Sequence, residues 1–170
     1  KLLHNSLQGA EETLSDEQWA VFDEINRMNA EGLQGEWDVV VVHDPQPIGL
    51  RRGACEKGKH WVWRCHIDLS TPNPAPIERL LPAIEEYDAS VWHMEQYVPN
   101  EMGRHRDAVR IVPPAIDPLS PKNMAFSPED AAFVCRQFGI DVDRPLITQV
   151  SRFDPWKDPI GVIDAYRQVT

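Results

Sequence analysis

The chain has 170 residues, a length that suits one ordinary domain, and 17 Lys and Arg against 27 Asp and Glu give it a net charge of −10. That acidic balance argues against a general binder of nucleic acid or anionic membrane, and no apolar run reaches the length of a membrane-spanning helix. Cys55, Cys65 and Cys135 are odd in number and far apart, which points to reduced thiols in a cytoplasmic setting and not to a disulfide frame or a zinc site. The apolar core of the first residues, KLLHNSLQGAEE, is too short for a signal peptide. The chain opens on Lys1 and both ends carry structured pattern, so it is expected to be the central piece of a longer enzyme.

His4-Asn5-Ser6-Leu7-Gln8-Gly9 reads as a polar turn ending in Gly. From Ser15 the pattern is helical, with Ser15 as cap, Asp16 and Glu17 in the first turn, and Trp19, Phe22, Ile25 and Met28 as an apolar stripe. This helix is expected to run to about Ala30, with Gly32 and Gly35 ending it. Trp37 to His43 carries four consecutive valines and reads as a central parallel strand buried on both faces. It stops at His43-Asp44-Pro45-Gln46-Pro47, where two prolines stiffen a turn at the carboxyl edge of the sheet. His43, Asp44 and Gln46 could each hydrogen-bond a sugar hydroxyl there, and a rigid loop with a satisfied histidine is the equal alternative.

A short helix begins near Ile48, and Gly53, Lys57, Gly58 and Lys59 form a loop. Trp61 to His66 is the next strand, with Trp61, Trp63 and Cys65 on one face and Val62, Arg64 and His66 on the other. Arg64 calls for a partner carboxylate if that strand is buried. His66 and Asp68 fall near the carboxyl edge, and two ligands are too few for a metal site. After the stiff segment from Thr71 to Pro76, Ile77, Leu80, Leu81 and Ile84 stripe a helix that Pro82 can bend. Asp88 to Met94 and Ala108 to Val112 are two more strands, and His93 reads as a core histidine.

Residues 115–126 hold two prolines and little periodicity, so they mark a domain crossing. Ser127 caps a helix with Pro128 at its first position, an apolar face of Ala132, Val134, Cys135 and Phe138, and Gly139 as its stop. Leu146 to Val150 is β-branched and apolar and reads as a buried parallel strand. It opens into Ser151-Arg152-Phe153-Asp154-Pro155-Trp156-Lys157, and Asp158 with Pro159 starts another helix. Two cations beside a helix N-terminus suit a diphosphate, although pattern alone favours solvated loop charges. Strand, loop and helix thus alternate with polar residues after the strand ends, an α/β fold with a doubly wound parallel sheet. No GxGxxG follows any strand, which argues against a dinucleotide.

The segment SRFDPWKDP resembles the diphosphate-binding loop of the retaining glycosyltransferases with two Rossmann-like domains, the GT-B group. In that group an Arg, and a Lys five positions later, hold the donor's phosphates, which implies that role for Arg152 and Lys157. The Phe-Asp-Pro-Trp form is similar to the trehalose-forming glycosyltransferases and the related retaining trehalose phosphorylases. HDPQP at His43, the HNxLQG form at His4, YVP at Tyr97 and PPxIDPxxxKN at Pro113 resemble the same group.

The resemblance implies residues 1–114 in an acceptor-side Rossmann-like domain, 115–126 crossing between domains, and 127–170 opening a nucleotide-sugar domain. It implies sugar contacts for His43, Asp44 and Gln46, and a place beside the donor sugar for His66. The implied reaction transfers glucose from a nucleotide-diphosphate glucose to glucose, forming trehalose, with no cofactor and no metal required. Its partners would be a small sugar and a sugar nucleotide. The alternatives are a trehalose phosphorylase, with inorganic phosphate at Arg152 and Lys157, and a non-catalytic Rossmann-type binding domain. The family's glycine-rich first loop and its paired glutamates fall outside these residues, so the isolated chain is expected to be inactive. The strand at Leu146 would then dock elsewhere, stay mobile or pair with the edge of another copy, which makes a homo-oligomer one expectation.

Overall fold

The computed structural model describes residues 1–169, apart from the side chain of Arg104. The chain divides into two compact units, the first Lys1–Ala115 and the second from Ile116 onward.

The first unit is built on a four-stranded sheet in the order β1 (Trp37–His43), β2 (Gly58–Arg64), β3 (Ala89–Trp92), β4 (Val109–Ile111). All three pairings are parallel, with Val42 beside Trp63, Trp63 beside Ser90 and Trp92 beside Ile111. Helices α1 (Leu2–Leu7), α2 (Asp16–Gly32), α3 (Leu50–Ala54) and α4 (Pro74–Ile84) complete the unit. This is the α/β, Rossmann-like arrangement that alternating strands and helices dictate. Parallel strands put every carboxyl end on one edge of the sheet, so the loops after β1, β2 and β3 start side by side.

The core lies on one face of the sheet. Val42, Trp61, Trp63 and Trp92 are buried there with Leu3, Leu7, Ile77, Leu80 and Ile84 of the helices. The alternation read for Trp61, Trp63 and Cys65 holds, and all three are buried. The reading of β1 as a central, doubly buried strand does not. Among the described residues β1 is an edge strand, and Val39 and Val41 on its other face are 54% and 47% exposed. Burial on both faces needs a layer on each side, and the helices described here supply one.

Four other expectations change in the first unit. Residues 4–9 begin inside α1, whose Leu3, Ser6 and Leu7 are buried. β2 starts at Gly58, three residues early, because Gly58 and Lys59 extend the ladder with β1. α4 starts at Pro74, where the Asn73 side chain accepts from the Ala75 amide at 3.2 Å. The stripe of α2 is also different: Trp19, Asn26 and Ala30 are buried, and Met28 is 53% exposed. Each three-residue step falls about 60° short of a full turn, so Met28 lies roughly opposite Trp19 while Asn26 and Ala30 return to its face.

The start of α2 is as the sequence predicts. Ser15 Oγ accepts from the Gln18 amide, and Gln18 Oε1 accepts from the Ser15 amide at 2.9 Å, a reciprocal capping box. Ser15→Ala is expected to lower stability by about 1 kcal/mol in urea denaturation, with an unchanged slope. No effect on the midpoint would show that α2 does not depend on its cap.

The second unit holds α5 (Pro128–Gln137) and α6 (Pro159–Val169). Ser127 Oγ accepts from the Asp130 amide at 3.0 Å, and Gly139 turns the chain with φ 71°. Val134 and Phe138 of the expected apolar face are exposed, since this unit offers no second layer to cover them. Leu146 to Val150 forms no strand, and Val150 is 94% exposed. β-branched composition favours extended backbone, but a strand needs a ladder partner, and no strand among the described residues pairs with this segment. Among the described residues no helix is long and apolar enough to cross a membrane.

Candidate functional site

Asp44 shapes the end of β1. Its backbone is left-handed, with φ 68°, a conformation Asp tolerates better than most residues. Three hydrogen bonds hold it there. Its amide donates to the Arg64 carbonyl at 2.8 Å, its carbonyl accepts from Trp63 Nε1 at 2.9 Å, and its Oδ1 accepts from the His66 amide at 2.9 Å. The carboxylate therefore ties the loop after β1 to the loop after β2.

That tie brings the histidines together. His43 Nδ1 and His66 Nε2 are 2.7 Å apart, and the rings meet edge to edge, with centroids 5.0 Å apart and planes 19° apart. His93, just beyond β3, stands edge to face against His66 at 5.3 Å and 82°. It was expected in the core, yet it is half-buried at the same carboxyl edge. Its Nε2 is buried without a hydrogen-bond partner. Burial holds the His93 imidazole below its usual range, and the Arg64 charge acts in the same direction. Arg64 itself is half-buried and donates to the Val112 carbonyl at 3.2 Å, where a carboxylate was expected.

Gln46 has an exposed side chain, and its backbone is what the structure fixes. Asn26, buried on α2, donates through Nδ2 to the Gln46 carbonyl at 3.0 Å and accepts through Oδ1 from the Gly49 amide at 3.0 Å. A Cβ on Gly49 would stand 3.0 Å from Asn26 Cβ, so a glycine lets the loop come this close. Asn26→Ala strands two backbone groups and is expected to lower stability by about 1–3 kcal/mol, read by urea denaturation. Sequence reasoning missed Asn26, His93 and the role of Arg64. The available signal for Asn26 was a polar residue one helical heptad after Trp19, on its face.

Arg152 and Lys157 lie in the second unit, on one loop. Arg152 is exposed and pairs with Asp154 at 2.9 Å. Lys157 ends a 3₁₀ turn over Pro155–Lys157, and its amide donates to the Asp154 carbonyl at 2.9 Å. α6 begins directly after, as expected, but Asp158 is left-handed with φ 43°. Its Oδ1 accepts from the Gly161 amide at 3.0 Å, and a Cβ on Gly161 would collide with the Asp158 carboxylate. The loop thus carries Lys157 two positions before Pro159, the first residue of α6, with Arg152 five positions earlier on the same loop.

Cys65 is buried in the first unit, and burial pushes its thiol up to about 12, so it is an unreactive core thiol. Among the described residues no three His, Cys, Asp or Glu side chains group as a metal ion needs.

Residues 1–99 match the family described as "Trehalose synthase, N-terminal domain". The chain is 52% identical over 174 residues to a trehalose synthase of Rubrobacter xylanophilus. It is 46% identical over 171 residues to trehalose synthases of Thermococcus litoralis and Pyrococcus furiosus. Each match covers 99% of this chain and 41% of the relative, so the chain spans about two-fifths of those proteins' length.

Proposed function

The chain belongs to the family of the trehalose synthase N-terminal domain, and we propose on that basis that it is part of a retaining glucosyltransferase. The reaction moves glucose from a nucleotide-diphosphate glucose to glucose and forms trehalose. The observation that carries this reading is the gathering of His43, Asp44 and His66 at the carboxyl ends of adjacent parallel strands. Open α/β sheets bind ligands at that edge, and these polar groups match the hydroxyls of a hexose.

In this mechanism His43, Asp44, Gln46 and His66 orient the sugars, which removes much of the entropic barrier to transfer. Arg152 and Lys157 take up the negative charge that builds on the diphosphate as the anomeric bond breaks. The guanidinium grips two oxygens and the ammonium adds a point charge. The leaving phosphate helps deprotonate the acceptor hydroxyl on the same sugar face, so configuration is retained. Protein cations thereby serve as the charge sink, and the proposed chemistry runs without a metal.

The test uses a protein of the relatives' full length in a thermal-shift assay with a panel of nucleotide-diphosphate glucoses and with NAD. Stabilisation by at least one sugar nucleotide is expected, equivalent to about 2.7 kcal/mol at a hundredfold excess over Kd. A shift with NAD and none with any sugar nucleotide would end the proposal.

A further inference from the structure

A hydrogen bond between two imidazole nitrogens has room for one proton. At 2.7 Å between His43 Nδ1 and His66 Nε2, one ring donates and the other accepts. This settles more than the bond itself. If neutral His43 carries its proton on Nδ1, its Nε2 is an acceptor. Neutral His66, accepting on Nε2, then carries its proton on Nδ1, which is a donor. The other tautomer reverses both outer nitrogens together. Both side chains belong to exposed residues, and no other side-chain hydrogen bond is recorded for either ring among the described residues.

We propose that His43 and His66 form one proton-sharing unit that presents a donor and an acceptor at once to two neighbouring hydroxyls of a sugar. The recognition half of this proposal rests on the sugar reading given above. While both rings are neutral the two outer nitrogens differ in polarity, which suits a vicinal diol whose hydroxyls each donate and accept. Interchange conserves charge: one proton is taken up at His43 Nε2, the bridging proton crosses to His66 Nε2, and one proton is released from His66 Nδ1.

The surroundings hold the unit in place. Asp44 Oδ1 accepts from the His66 amide and fixes the loop that carries this ring. His93 is a positioning residue: its half-buried ring stands perpendicular to His66 and sets the plane in which His66 meets His43. Arg64, the ladder partner of His43, is turned toward the Val112 carbonyl on the β4 side. Asp44, Arg64 and His93 are charged and titratable groups at this edge, and Asp68 follows as an exposed carboxylate in the loop after β2.

Nitrogen-15 NMR of the histidine rings in this chain, in mildly alkaline buffer, tests the unit without any ligand. A through-bond coupling between His43 Nδ1 and His66 Nε2 is expected, with opposite protonation on the two bridging nitrogens. His93→Phe keeps an edge-to-face ring and is expected to retain the coupling, while His93→Ala weakens or abolishes it. Independent tautomers with no coupling in the unaltered chain would overturn the proposal. Glucose is then titrated in. Concerted shifts at His43 Nε2 and His66 Nδ1 are expected. A coupled pair that ignores glucose and other hexoses overturns the recognition role and places the failure in the sugar reading.

Discussion

Replacing Trp63 with alanine is expected to remove about 3–5 kcal/mol of stability. Trp63 is 1% exposed and stands edge to face against Trp92, with centroids 5.1 Å apart and planes at 77°. Its loss combines lost transfer of a large ring with the cavity left between the sheet and its helices. It also removes the Nε1 donor that the Asp44 carbonyl accepts at 2.9 Å. Asp44 would then lose one of three restraints on its left-handed backbone, and the His66 amide would lose a fixed acceptor. Trp63→Phe keeps most of the volume but not the donor. It is expected to cost less in urea denaturation yet still weaken the His43 to His66 contact in ring NMR. A loss below about 1 kcal/mol for the alanine variant would show that the site loops do not lean on this ring.

Arg152→Ala, made in a protein of the relatives' full length, is expected to lower kcat about 10²- to 10³-fold. In the proposed reaction part of the effect belongs in kcat, because the diphosphate, already charged in the donor, gains one further charge as the anomeric bond breaks. The part that holds the ground-state charge raises KM. Stability is expected to stay within about 1 kcal/mol. The ion pair with Asp154 is exposed on the arginine side, and such pairs contribute little. Arg152→Lys is expected to recover only part of the rate, since an ammonium cannot grip two oxygens in one plane. Equal rates for the alanine variant and the unaltered enzyme would remove Arg152 from the chemistry. A large loss of stability would instead assign it a structural role.

The parts of this molecule legible in its sequence are those decided by near neighbours. Two-residue alternation placed Trp61, Trp63 and Cys65 on the buried face, because the pleat leaves no other choice once one side faces helices. Ser15, Ser127 and Asp158 announced three helix starts, since a cap is satisfied within three residues. His43, Asp44 and His66 were legible as polar residues where apolar strands stop.

What escaped depends on distant parts of the chain. The hydrophobicity of Val39 and Val41 is real, but which face is covered depends on layers no local pattern reports. Leu146 to Val150 has strand composition, and strand formation depends on a partner. Asn26 looked like a polar interruption of a stripe because a three-residue count drifts around a helix. Its partners, the Gln46 carbonyl and the Gly49 amide, lie some twenty residues away in sequence. His93 read as core because its neighbours are apolar. Its exposure to His66 comes from the register of β2 and β3.

The most direct test is the transfer reaction itself, run with a protein of the relatives' full length. Glucose and a nucleotide-diphosphate glucose would be supplied together and singly, and the products separated by chromatography. The expected result is trehalose and free nucleoside diphosphate in equal amounts, formed only when both substrates are present and reduced by His66→Ala. Trehalose formed from glucose 1-phosphate with release of inorganic phosphate, and none from any sugar nucleotide, would contradict the account and assign a phosphorylase.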